Sequence, residues 1–215
     1  MKKTFLSAAL LLLSAGCVLG EPLSFGVRAG GDMATQVSSV LGQGPQETGD
    51  VVFGFTGGVF VETDLGDSLS LQPEVDYVRK GLQMNLNGVL VTGPGLGAAA
   101  TVNATYTYTY DYVEIPVLLK AHTLLSPGLT GSLSAGPEVG ILLGANEHYS
   151  IPPYGTGDVA YKGAGVDWGV LVGAGLELDG FLLDLRYDRG LISANQYSKG
   201  PANSVLSLDV GYRVQ

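Results

Sequence analysis

Two histidines and a run of alternating carboxylates are the side chains of this chain that invite a chemical reading. His148 has Glu147 and Ser150 beside it, the parts of a Ser-His-acid set. Neighbours along one polar connection lack the fixed geometry that a nucleophile and its base require, so this set is read as a solvated stretch. His122 falls in a different connection, expected at the opposite end of the molecule. The two rings then share neither a metal ion nor a proton relay. Cys17 is the only cysteine, which excludes an intramolecular disulfide and a thiolate metal site. Asn103-Ala104-Thr105 matches a glycosylation sequon, but the chain opens like a bacterial export precursor, so the match is taken as chance. No catalytic residue, metal site or cofactor is expected.

The carboxylates say more through their spacing. Glu74 and Asp76 alternate with Val75 and Tyr77, and Asp184, Arg186 and Asp188 alternate with Leu183, Leu185 and Tyr187. A period of two puts the charged and apolar sets on opposite faces of a β-strand. Eight stretches follow this rule. They are joined by four long polar connections, at about 35–50, 81–104, 145–164 and 192–203, which alternate with short ones at 63–67, 122–128 and 179–180. Tight turns on one side and long connections on the other indicate an eight-stranded antiparallel up-and-down transmembrane β-barrel, with short periplasmic turns and long extracellular loops. Pro73 cannot donate to a ladder, so a bulge or break is expected there.

Parity then assigns an interior. Arg28, Lys120, Arg186 and Arg213 fall on the inner face, with Glu62, Glu74, Asp76, Glu114, Glu138, Asp167, Glu177, Asp184, Asp188 and Asp209. A barrel of about eight strands is just wide enough for side chains to fill. The expected result is a hydrogen-bonded plug; the competing reading is a narrow cation or proton path, given the surplus of acids. Arg79 and Arg189 fall on the outward parity near the outer rim, where a guanidinium can meet lipid phosphate. Tyr106, Tyr108, Tyr110 and Tyr112 share one parity at the barrel mouth. They form either a ligand platform for sugars or aromatic groups, or plain cross-strand packing.

Met1–Gly20 reads as an export signal: Lys2 and Lys3 precede an apolar run, and a cut before Glu21 is expected. Lipidation at Cys17 is the alternative, on a near-lipobox at Leu13-Ser14-Ala15-Gly16-Cys17. Residues 21–215 then form one barrel domain with nine basic and twenty acidic residues. No basic stripe is available for nucleic acid, and no apolar run after the signal is long enough for a membrane helix.

Four segments resemble a known family. Tyr112-Val113-Glu114-Ile115-Pro116-Val117-Leu118-Leu119-Lys120, Phe25-Gly26-Val27-Arg28-Ala29-Gly30, Leu71-Gln72-Pro73-Glu74-Val75-Asp76-Tyr77 and Arg186-Tyr187-Asp188-Arg189-Gly190-Leu191 are similar to strands of the PorT-like outer-membrane β-barrel family. The chain departs from the usual aromatic ending in closing on Tyr212-Arg213-Val214-Gln215. The resemblance implies an outer-membrane location in a Gram-negative cell envelope. The expected partners are lipid and lipopolysaccharide, the barrel-insertion machinery and, from one family branch, a secretion or uptake complex. The function expected is structural or interactive. The alternatives are a narrow porin-like pore, an accessory subunit, or a soluble lipocalin-like periplasmic carrier.

Overall fold

The computed structural model describes residues 23–38, 46–47, 49–91, 100–161, 165–191 and 202–214. The expected leader, its cut site and Cys17 lie outside the described residues, as does most of the connection at 192–203.

Ten strands are present: β1 Leu23–Ser38, β2 Gln46–Glu47, β3 Val52–Gly66, β4 Leu69–Val91, β5 Ala100–Ser126, β6 Leu129–Ile151, β7 Gly155–Tyr161, β8 Val166–Leu178, β9 Phe181–Gly190 and β10 Ala202–Val214. Eight of them form an antiparallel ring in the order β1-β3-β4-β5-β6-β8-β9-β10, while β2 pairs with β1 and β7 with β6 outside it. The ring closes where β10 returns to β1, in register from Phe25↔Val214 to Val37↔Ala202. Closure pairs every edge of the barrel wall, as a spanning sheet in hydrocarbon requires.

Side-chain burial inverts the pattern of a water-soluble protein. Phe53 is 78% exposed and Leu133 67%, whereas Glu74 is 0% exposed and Arg28 5%. Along β9 the apolar Phe181, Leu183, Leu185 and Tyr187 are exposed, and Leu182, Arg186 and Asp188 are buried. A continuous apolar exterior of this extent needs an apolar solvent. Two aromatic pairs stand at opposite ends of the wall. Phe181 and Tyr212 meet edge-on at 5.1 Å near the periplasmic end, and Phe55 stacks on Tyr77 at 5.3 Å near the outer end. Rings of this kind settle at the headgroup level.

The periplasmic turns are tighter than the sequence reading expects. The strands run on to Asp67-Ser68 and to Pro127-Gly128, so His122 lies on β5 opposite Ser132 and not in a turn. At the third turn, Asp179 and Gly180 have φ of 51° and 85°, the positive values of a type I′ hairpin. Pro73 causes no register shift: β3 and β4 pair as Phe60↔Glu74 and Thr63↔Leu71 on either side of a short interruption.

Two of the expected long loops are largely strand. β4 and β5 continue as a paired hairpin beyond the barrel wall to Val91↔Ala100, and β6 runs to Ile151 before β7 folds back on it from Gly155. The alternating Tyr and Thr of residues 105–110 explain this: both types favour extended backbone and pack well across strands. A sheet wetted on both faces lacks the apolar periodicity by which the barrel strands are recognised.

Candidate functional site

The lumen is a stack of ion pairs set by the inward positions of neighbouring strands. At the periplasmic end, Glu62 on β3 accepts from Ser70 Oγ at 2.6 Å and from Lys120 Nζ at 3.0 Å. Arg213 on β10 reaches Glu62 at 3.6 Å and Glu177 on β8 at 2.5 Å. Glu62, Lys120, Glu177, Arg213 and His122 line an open cavity of about 200 Å³. Directly inside it lies Phe60, 3% exposed, an apolar side chain on the inner face. Its ring lies where a Cβ on Gly26 would stand, so the glycine makes room for this internal wedge.

The middle layer centres on Glu74 of β4. Arg28 of β1 binds it with two guanidinium nitrogens, one at 2.9 Å, and also reaches Asp76 at 2.5 Å. Arg186 of β9 grips the same carboxylate from the other side at 2.7 and 3.0 Å, and Gln72 Nε2 donates to it at 2.5 Å. Arg186 also lies 3.9 Å from Asp209. Two planar forks on one carboxylate give a bidentate geometry that lysine could not reproduce. Asp184, expected in this network, is half-buried on β9 with its carboxylate where a Cβ on Gly175 would stand.

Above this layer sits a residue absent from the expected interior. Lys80 of β4 is 1% exposed, and its Nζ contacts Glu114 at 2.6 Å, Glu138 at 3.6 Å and Asp188. The ring of Tyr112 lies 5.6 Å from the ammonium. Glu114, Glu138 and Asp188 bring their oxygens within 4.8 Å of one another, a spacing that would suit a metal ion. The lysine ammonium already occupies that centre as its cation. The outer mouth is closed by a polar relay: Gln36 Nε2 donates to Asn203 at 3.2 Å, and Asn203 Nδ2 to Asp167 at 2.8 Å. Asp32, 2% exposed on β1, is a second buried charge missing from the expected set. Simple extension of parity past Gly30 and Tyr77 would have found Asp32 and Lys80.

Outside the wall, Arg79 faces outward in register with Asp111, its Nε 2.8 Å from that carboxylate and its guanidinium 5.1 Å from the Phe55 ring centroid. Tyr77 Oη donates to the same Asp111 at 2.6 Å. Arg189 is half-buried on β9 in register with Val170 and Ser204.

The tyrosines divide. Tyr112 is buried with the Lys80 group, whereas Tyr106, Tyr108 and Tyr110 stand on the projecting hairpin. A register shift between Asp111 and Tyr112 reverses the parity of β6 above it, so Ala145, Glu147 and Tyr149 pair with Tyr110, Tyr108 and Tyr106 on the same face. Glu147 therefore faces away from His148. The histidine instead meets Asp158 of β7 at 2.7 Å on the exposed face, and the Ser-His-acid set with Glu147 is not assembled.

A closed eight-stranded ring with an apolar exterior and an ion-paired interior defines a transmembrane β-barrel of the outer membrane. The chain belongs to the outer membrane protein beta-barrel domain family, which it matches over residues 15–196. Among solved structures, it is similar to Neisserial surface protein A at 18% identity, covering 89% of this chain and 99% of that one with a TM-score of 0.46. It is also similar to Ail, the attachment invasion locus protein of Yersinia pestis, solved with the heparin analogue sucrose octasulfate: 12% identity, 89% and 99% coverage, TM-score 0.41. The translocator domain of the autotransporter NalP from Neisseria meningitidis follows at 13% identity, 95% and 92% coverage and a TM-score of 0.31. No curated protein sequence matches the chain.

Proposed function

We propose that this protein is a non-conducting, non-catalytic barrel of structural or interaction type, whose lumen is sealed by its own side chains and whose projecting sheet meets partners outside the cell. The supporting observation is the pair of layers centred on Glu74 and Lys80, both at most 1% exposed. An ion crossing them would have to break charge-assisted pairs in a poorly solvated interior. Planar-bilayer recording tests the reading. The native protein is expected to give no conductance steps, and Arg28→Ala combined with Arg186→Ala to give small ones. Steady steps from the native protein would establish the pore reading instead.

A second reading is an accessory of a secretion or uptake assembly, as the PorT-like motifs imply. The projecting β4–β7 sheet favours it, because its tyrosine-bearing face and strand β7, paired only with β6 among the described residues, extend beyond the wall. Photo-crosslinking from position 108, on the tyrosine-bearing face, would capture a neighbour in cells if this holds.

Arg79 and Arg189 are proposed to contact lipid phosphate. Asp111 engages Arg79 Nε, but the side chain remains 39% exposed at the level of the outer aromatic pair. Arg79→Ala and Arg189→Ala are expected to lower thermal stability more in lipopolysaccharide than in plain detergent. Equal losses in both would remove the lipid contact.

A further inference from the structure

Above the aromatic rim the outward side of the wall changes its chemistry but keeps its direction. On β4 and β5 the positions that face lipid, among them Tyr77 and Val113, are followed on the same parity by Arg79 and Asp111. Beyond that pair the outward side chains from Gln83 to Asn85 and from Thr105 to Thr109 are all hydroxyl or amide. The register shift between Asp111 and Tyr112 extends this face onto β6. It sets Asn146, His148 and Ser150 opposite Thr109, Thr107 and Thr105, and turns Glu147 to the tyrosine-bearing side. On β7, Asp158 and Thr156 pair with His148 and Ser150 and continue the face.

Two observations say what lies against it. The thirty residues Gly81–Tyr110 contain no Asp, Glu, Lys, Arg or His, in a chain with eleven bases and twenty acids. Surfaces that meet only water ordinarily carry such groups. The acids bordering the face each have a partner: Asp50 accepts from Asn85 at 2.5 Å, Asp111 from Arg79 at 2.8 Å, and Asp158 meets His148 at 2.7 Å. A face so poor in free acid can lie beside an anionic glycolipid layer without repulsion. The second observation is continuity with the lipid-facing wall. Thr105 stands about 20 Å along β5 beyond Asp111, farther than the headgroup region of roughly 5–8 Å. What surrounds the barrel at that height is the saccharide of the same glycolipids whose chains bathe the wall below.

We infer that the outward Thr, Ser, Asn and Gln face of the projecting sheet is a docking surface for the saccharide layer of the surrounding outer-leaflet glycolipid. Neutral hydroxyls and amides both donate and accept, as sugar hydroxyls do, and they bond to them directly or through water. The exposed Asp158 carboxylate adds an acceptor for sugar hydroxyls. The surface is separate from the phosphate contact of Arg79, which lies lower, and from the tyrosine-bearing face, which looks over the barrel mouth.

The test uses the full chain in a Cys17→Ser background, in bilayers of lipopolysaccharide carrying either its complete core saccharide or only lipid A and the innermost sugars. Single spin labels are placed at position 107 on the hydroxyl face and at position 106 on the tyrosine face. Accessibility of label 107 to a charged nickel chelate should fall several-fold with the complete saccharide, and that of label 106 should stay the same. Equal accessibility of label 107 in both membranes would overturn the inference, as would an equal fall at both labels, which would show crowding alone. Protection of label 107 in truncated membranes by soluble core saccharide would make the face a receptor for free glycan and overturn its assignment to the surrounding layer. Thermal unfolding gives a second readout. The native midpoint should be a few degrees higher with the complete saccharide, and the combined Thr105→Val, Thr107→Val and Thr109→Val variant should lose that difference while keeping strand-forming side chains. Arg79→Ala should keep it, because phosphate is present in both membranes. A difference retained in the triple valine variant would overturn the assignment of these hydroxyls.

Discussion

Lys80 holds three carboxylates together at the centre of the barrel, and its removal leaves all three buried beside one another. Breaking a buried pair from one side typically costs about 3–5 kcal/mol. Lys80→Ala is expected to lose that much in urea unfolding from detergent, whereas an exposed rim pair such as Arg79–Asp111 is worth about 1 kcal/mol or less. Equal small losses for both would show that the interior is wet. The glycines opposite the acids matter for a different reason. A Cβ on Gly58 would stand on Asp76 Oδ1 and on the Val75 carbonyl oxygen, while one on Gly144 meets nothing within 4 Å. Gly58→Ala should cost about 1–3 kcal/mol by overpacking, and Gly144→Ala far less. Parity made Glu74, Asp76 and Arg186 legible in sequence because their neighbours are apolar. It missed Lys80, flanked by Arg79 and Gly81, because the outward face ceases to be apolar there while the strand continues. The glycine–acid fit was not legible at all, since it depends on the register between two strands.

At the level of elements, the barrel strands were readable and the projecting sheet was not. Hydrocarbon on one side imposes a strict two-residue alternation on a strand such as Phe181–Gly190. Above the membrane that constraint vanishes, and residues 100–111 are held by cross-strand Tyr and Thr contacts that look like polar loop. Because the hairpin adds no partner to the two lumen layers, the barrel should fold without it. Replacing residues 84–106 by a two-residue Asn-Gly turn between the paired Gln83 and Thr107 is expected to preserve heat-modifiable gel mobility. Loss of that mobility would mean that the hairpin nucleates the barrel. The same replacement should abolish crosslinking from this face if partners dock there.

The whole molecule is a cylinder turned inside out: acids and their bases along the axis, Leu, Val and Phe on the exterior, and aromatic pairs at both rims. Its acidity, with twenty carboxylates against eleven bases, is concentrated in part where solvent does not reach. Closure of β10 on β1 makes this possible, since a single open edge would expose backbone groups to hydrocarbon. The most direct measurement of this arrangement is a spin-label scan along β9 in a Cys17→Ser background, in lipid bilayers, with oxygen as the lipid-phase relaxer and a charged nickel chelate as the aqueous one. Labels at positions 183, 185 and 187 should be relaxed strongly by oxygen and weakly by nickel, and labels at 184, 186 and 188 by neither. Strong nickel relaxation at 183 and 185, or no alternation at all, would contradict a lipid-bathed wall around a sealed, charged interior.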